Sequence, residues 1–250
     1  MTNNQDSLKM TSRFLLTLAA FVAIAELKAA DASEPDKDTE LGKLLAEART
    51  LIDTKKPQAA IEKCDKVIAR FQERYGKSKE KVYCAETSAE NLGYLLKAAA
   101  AMNDGNFEKS KKNAIVLSNT WSSACFMKGF AFEEMGRLAE AKAALQQALE
   151  LSPWNSHYLS ELAYLFALQK DWARAKENYQ AAEEHAALSP DNAKAENLAR
   201  ARRGLGYVFV ELGQLDAAEK KYQQCLAENP NDTKAAAELQ YVRQQLKAKR

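Results

Sequence analysis

The sequence predicts an all-α fold: a solenoid of about five stacked helical hairpins closed by a C-terminal helix. Three observations carry this. First, residues 136–153, GRLAEAKAALQQALELSP, return as residues 213–230, GQLDAAEKKYQQCLAENP. Both run from Gly to Ala (Ala141, Ala218), then to a large side chain one turn later (Leu145, Tyr222), and close on Pro. Second, nine Gly and five Pro among 250 residues are too few to punctuate a sheet protein. Ala, Leu, Glu, Lys and Gln dominate instead, and these lose little entropy on entering a helix. Third, another amphipathic stretch precedes each copy, residues 125–136 and 202–213. Each has a Gly (Gly129, Gly206) followed three residues later by an aromatic (Phe132, Phe209).

The same columns recur elsewhere. Residues 159–186 hold Ala163, Phe166, Ala175, Tyr179 and Ala182 in register, with Lys170-Asp171-Trp172 where the Gly turn stands in the other copies. Residues 94–117 align through Ala98, Gly105, Phe107, Ser110 and Leu117. The weakest copy, residues 44–67, keeps Leu44, Ala48, Leu51, Ala60 and Val67, with Pro57 near its turn. The expected units are 41–74, 91–121, 122–155, 156–189 and 199–232. The insertion Tyr75–Glu90 is expected to lengthen the following helix backward, and Glu183–Leu198 reads as a long turn. A hairpin of two short helices cannot bury its apolar faces alone, so units must stack. The small residues mark where paired helices approach closely, and Phe132, Phe166, Phe209, Leu145, Tyr179 and Tyr222 fill the space to the next pair. Pro153, Pro190 and Pro230 lack the amide that a continuing helix needs. Residues 233–250, capped by Asp232 and carrying Ala236, Leu239, Val242 and Leu246 on one stripe, read as the helix that seals the array.

A hairpin of about 34 residues with these columns resembles the tetratricopeptide repeat (TPR) family. The resemblance covers residues 41–232 and implies a right-handed α-solenoid whose first helices line a concave groove. It also implies a non-catalytic scaffold that binds a protein or peptide partner there. The groove positions are then Leu95, with Leu92, Ala99 and Met102; Phe126, Phe130 and Glu133; His157, Ser160, Tyr164 and Leu168; and Arg200, Arg203, Tyr207 and Glu211. This surface is aromatic at one end and basic at the other, and the Arg pair suggests an acidic segment as ligand. TPR domains that hold chaperone tails use a Lys/Asn clamp; the matching positions here are Leu, Ala, Phe and Ser, so that ligand is not implied. The rival readings are a self-assembling structural oligomer and a cytosolic regulator.

Charge and motifs narrow the function further. The 36 basic and 34 acidic residues give a net charge of +2 and are well mixed, which argues against a nucleic-acid binder. No phosphate-binding loop, metal-protease motif or nucleophile elbow is present, so neither an enzyme nor a cofactor is expected. His157 and His185 stand apart with no ligand set around them, and no metal is expected. After Lys9 and Arg13 comes an uncharged run, Phe14–Ala25, too short for a spanning helix of about 20 residues. With small-x-small sites at Ala23-Ile24-Ala25 and Ala30-Asp31-Ala32, residues 1–32 read as a signal peptide cleaved after Ala25 or Ala32. Residues 33–40 form a flexible lead-in. The expected location is therefore periplasmic or secreted, in a bacterial envelope. The alternative is a membrane anchor formed by residues 14–25. Export would let Cys64 and Cys84 oxidise if a helical hairpin brings them to one height, with buried free thiols the default.

Overall fold

The computed structural model describes residues 40–103 and 114–248. The expected signal peptide (1–32) and most of the lead-in lie outside them, as do Gly105, Phe107 and Ser110. In chain order the elements are α1 (Glu40–Asp53), α2 (Pro57–Tyr75), β1 (Lys81–Ala85), α3 (Ser88–Asn103), β2 (Ala114–Ser118), α4 (Thr120–Glu134), α5 (Leu138–Leu151), α6 (Ser156–Leu168) and α7 (Trp172–His185). A short 3-10 turn, Ala186–Leu188, leads to α8 (Asp191–Glu211), α9 (Leu215–Glu228) and α10 (Thr233–Ala248).

Four hairpins stack as a solenoid: α1/α2, α4/α5, α6/α7 and α8/α9, with α10 laid against α9 as the cap. The small columns do what their size requires. Ala141, Ala163, Ala175 and Ala218 are fully buried. A Cβ at Gly129 would come within 3.2 Å of the Ala141 carbonyl, and one at Gly206 within 2.6 Å of the Tyr222 ring. Phe132, Phe166, Phe209, Leu145, Tyr179 and Tyr222 join them in one continuous core that runs from Ala60 to Val242.

The hairpin turns are alike to the hydrogen bond. In each, an amide after the turn reaches back over it: Lys56 to Leu51, Arg137 to Phe132, Asp171 to Phe166 and Gln214 to Phe209, at 2.8 to 2.9 Å. This is the Schellman closure, which needs one left-handed residue. Gly136 and Gly213 hold it at φ 73° and 71°, but Lys55 and Lys170 hold it at 58° and 57°. Asn155, Asp171 and Asp232 then cap α6, α7 and α10 by accepting the amides of Tyr158, Arg174 and Ala235.

The expected unit 91–121 is not a hairpin. Residues 114–118, AIVLS, form a strand that pairs in parallel with β1, register Lys81↔Ala114 to Ala85↔Ser118. The insertion expected to extend a helix supplies β1, so Cys84 lies on a strand. Both stretches are rich in β-branched and aromatic residues, and a parallel pair needs a long crossover, which α3 spans. Because this β1–α3–β2 unit stands beside the stack, α2 packs directly on α4. It is fastened there by a run of rings: Tyr83 to Tyr94 at 4.9 Å, Tyr94 to Trp154 at 4.9 Å, and Trp154 to His185 at 5.6 Å. Ser152 Oγ donates to the Cys84 carbonyl at 2.7 Å, and Thr87 Oγ1 to the Leu188 carbonyl at 2.9 Å. The last unit also starts earlier than 199, because α8 begins at Asp191.

Two predictions follow from the turns and from the start of α3. A Cβ residue in the left-handed region costs energy that glycine avoids, partly offset by the freer unfolded chain. Lys170→Gly should therefore stabilise by about 0.5–1 kcal/mol in urea denaturation. The same change at mid-helix Lys220 should cost about 1 kcal/mol. Glu90 is 2% exposed, and burial, only partly opposed by its hydrogen bonds from the Glu86 and Thr87 backbone, pushes its carboxyl up to about 7. The folded state thus binds a proton that the unfolded state releases above its lower pKa. The stability held below that lower pKa is lost as pH rises through about 7, on the order of 1–3 kcal/mol. Thermal melts from about pH 5 to about pH 8 should show this fall, and Glu90→Gln should lessen it.

Candidate functional site

The first helix of each hairpin repeats its groove-side residues every three or four positions, so successive hairpins line up one wall. On α8 these are Glu196, Arg200, Arg203, Tyr207 and Glu211; on α6 they are Ser160, Glu161, Tyr164 and Leu168. With Lys234, Ala237 and Glu238 of α10 they enclose a cleft of about 1050 Å³. A smaller hollow of about 340 Å³ lies between Arg49, Ile52, Phe126, Phe130, His157 and Arg200. Glu161 and Arg200 belong to the walls of both.

The structure therefore brings seven of the eight expected groove residues to these two hollows. Phe126, Phe130 and His157 line the smaller, Tyr164, Arg203 and Tyr207 the larger, and Arg200 both. Leu95 is the exception. It sits on α3, the crossover helix of the β1–α3–β2 unit, together with Leu92 and Ala99, and lines neither hollow. The aromatic strip is also not continuous. Phe126 is half-buried and stacks on Tyr158 at 4.7 Å, so much of its ring belongs to the core. Between Phe130 and Tyr164 stands a charged cluster: Arg200 Nη1 donates to Glu161 Oε1 at 2.7 Å, and His157 Nε2 lies 3.3 Å from the same oxygen. Burial alone would raise the Glu161 carboxyl, but the hydrogen bonds and charges of His157 and Arg200 hold it below its ordinary value. Glu133, on the neighbouring helix, has no such partners; burial and the Glu161 charge push it up to about 7.

The basic end expected from Arg200 and Arg203 is neutralised within the fold. Arg203 Nη1 donates to Asp232 Oδ2 at 2.6 Å and Nη2 to Glu196 Oε1 at 2.7 Å. Asp232 is the residue that caps α10, so this guanidinium fastens the sealing helix. The carboxylates of Glu211 and Glu238 have no ion-pair partner among the described residues. Burial first, then the charges of Glu211 and Glu238, raise the Tyr207 phenol. Tyr164 and Tyr207 are 43% and 44% exposed, and Leu168 47%. Trp172 meets Tyr207 edge-on at 6.1 Å. Gly204 leaves the room for this wall, since a Cβ there would fall 2.2 Å from the Tyr179 ring. Ser160 and Tyr222 also line the cleft; their hydroxyl oxygens are buried without a hydrogen-bond partner among the described residues.

Several residues of this site were not singled out from sequence, among them Glu161, Trp172, Glu196 and Glu238. Glu161 follows His157 by one helical turn, which is a readable signal; Trp172 looked like part of a turn, and Glu238 like the solvated back of the cap. The cysteines take no part. Cys64, Cys84 and Cys125 share one apolar cluster, and all four cysteines are free thiols, so the structure holds no Cys64–Cys84 bridge. Their setting explains this: Cys64 faces Cys125 across the α2–α4 contact, and burial pushes both thiols up to about 12. Among the described residues no group of side chains could hold a metal ion, and no helix is long and apolar enough to cross a membrane.

Stacked two-helix units with small residues at the joints and a lined concave face define a helical-repeat protein. Within that class, residues 122–153 and 200–232 each match a tetratricopeptide repeat model. A putative kinesin light chain of Podosopora anserina with nearly identical TPR-like repeats is similar in structure at a TM-score of 0.53 and 15% identity, covering 84% of this chain and 88% of that one. A MamA RS-1 double mutant is similar at 0.51 and 13% identity, covering 83% and 85%. The first TPR of Spaghetti (RPAP3), bound to an HSP90 peptide, is similar over half of this chain and 92% of its own, at 0.44 and 22% identity. None of the curated proteins compared matches the chain.

Proposed function

We propose that this TPR protein is a non-catalytic scaffold that holds a peptide segment of a partner protein in its concave groove, and that it works after export to the bacterial envelope. TPR domains are protein–protein interaction modules, and the observation that supports a contact here is the large cleft. There Tyr164, Leu168 and Tyr207 are all left more than two-fifths exposed on the concave wall. Large apolar side chains gathered in a concavity mark an interaction site rather than ordinary surface, and Tyr anchors dominate interface energetics. The export reading rests on the apolar run Phe14–Ala25 and its two cleavage options.

Crosslinking in the cells that make the protein, followed by affinity measurement with the recovered partner, tests both parts. The recovered chain should begin at Glu26 or Ser33. Phe130→Ala with Tyr164→Ala should weaken capture by at least about 2 kcal/mol, while helical content stays at the wild-type level. Undiminished binding by a folded double variant would move the contact off the groove. A cytosolic chain that retains residues 14–25 would contradict export.

A further inference from the structure

The groove reading leaves open what chemistry the partner brings, and the cleft answers it in a direction opposite to the sequence. We propose that the end of the cleft between Tyr164, Tyr207, Glu211 and Glu238 receives a basic side chain, Lys or Arg, of the bound segment. This rests on the groove being the binding site.

Four features converge there. The two arginines that would attract an acidic segment are already paired inside the fold, Arg200 with Glu161 and Arg203 with Asp232 and Glu196. The carboxylates left without a cationic partner among the described residues are Glu211, one turn beyond Tyr207 on α8, and Glu238, across the cleft on α10. After burial, Glu211, Tyr164 and Glu238 act on the Tyr207 phenol in that order, and Glu238 also acts on Tyr222. Tyr164 and Tyr207 present nearly half their surface to the same space, and the negative face of an aromatic ring attracts ammonium and guanidinium groups.

The floor adds an independent sign. Ser160 Oγ and Tyr222 Oη are buried in the lining of this cleft and lack hydrogen-bond partners, an arrangement that costs energy in a protein interior. A Lys ammonium brings three N–H donors and an Arg guanidinium five, with no acceptor to satisfy. Both oxygens are themselves covered, so such a donor reaches one of them once the Ser160 rotamer or the Tyr222 ring shifts. Lys170 and Lys234 also line the cleft. Lys234 lies one turn before Glu238, beside the Arg203–Asp232 pair, and Lys170 on the turn beyond Leu168.

The probes are short, end-blocked peptides identical except at one central position, Arg, Lys, Gln or Glu, flanked by leucines. Their affinity for the full chain is read by fluorescence anisotropy at low and high salt. The Arg and Lys peptides should bind about tenfold more tightly than the Gln peptide, with the Glu peptide weakest and the differences shrinking in high salt. Glu211→Gln with Glu238→Gln should erase the preference while circular dichroism stays unchanged. A Glu peptide that binds as well as the Arg peptide, or a preference that survives the double variant, overturns the proposal. If all four bind alike and all weaken in Phe130→Ala/Tyr164→Ala, the groove stands and the basic-residue preference falls. If no peptide binds, or binding ignores the groove variants, both fall.

Discussion

Everything in this molecule depends on the closeness of two helices within each hairpin. Gly129 against Ala141, Ala163 against Ala175, and Gly206 against Ala218 let backbones meet where larger side chains would hold them apart. Where Gly206 stands, even a methyl group would collide with the Tyr222 ring. Close pairing fixes which face of each first helix turns away from its partner, and that face becomes the wall of the groove. The four turns close with the same backbone hydrogen bond, which gives successive pairs a common joint. The groove is a by-product of the packing.

A stack of this kind has two open ends and can be interrupted at little cost to its core. Here α10 closes one end through the Arg203–Asp232 pair and the Asp232 cap. The β1–α3–β2 unit uses the freedom of the middle. It enters between α2 and α4 in sequence yet leaves them in contact, and it holds on through Tyr94, Trp154 and the backbone of β1. Gly93 matters here, because a Cβ at that position would lie 2.4 Å from the Trp154 ring.

Most of this fold was legible in the sequence because its rules are local. A small residue, a large one a turn later and a proline after the helix all lie within one unit, so the columns at 122–155 and 156–189 read correctly, as did the capping role of Asp232. The unit at 91–121 misled because Ala98 and Leu117 satisfy the small and large columns by themselves. What makes Ala114–Ser118 a strand is pairing with Lys81–Ala85, across a helix, and no local period reports that. The site was half legible for the same reason. Helical spacing brought Tyr164, Tyr207 and both arginines to the cleft. It could not show that Asp232, 29 residues from Arg203, and Glu161, 39 residues from Arg200, would neutralise them. Charge counted along one helix misjudged a surface built from three.

The central claim is that the concave wall, and not the outer surface of the stack, meets the partner. A photo-crosslinking residue placed at Tyr164 and, in a separate chain, at Gln147, exposed on the second helix of its hairpin, tests it in the cells that make the protein. Adducts from position 164 and none from position 147 are the predicted result; adducts from position 147 alone would contradict it.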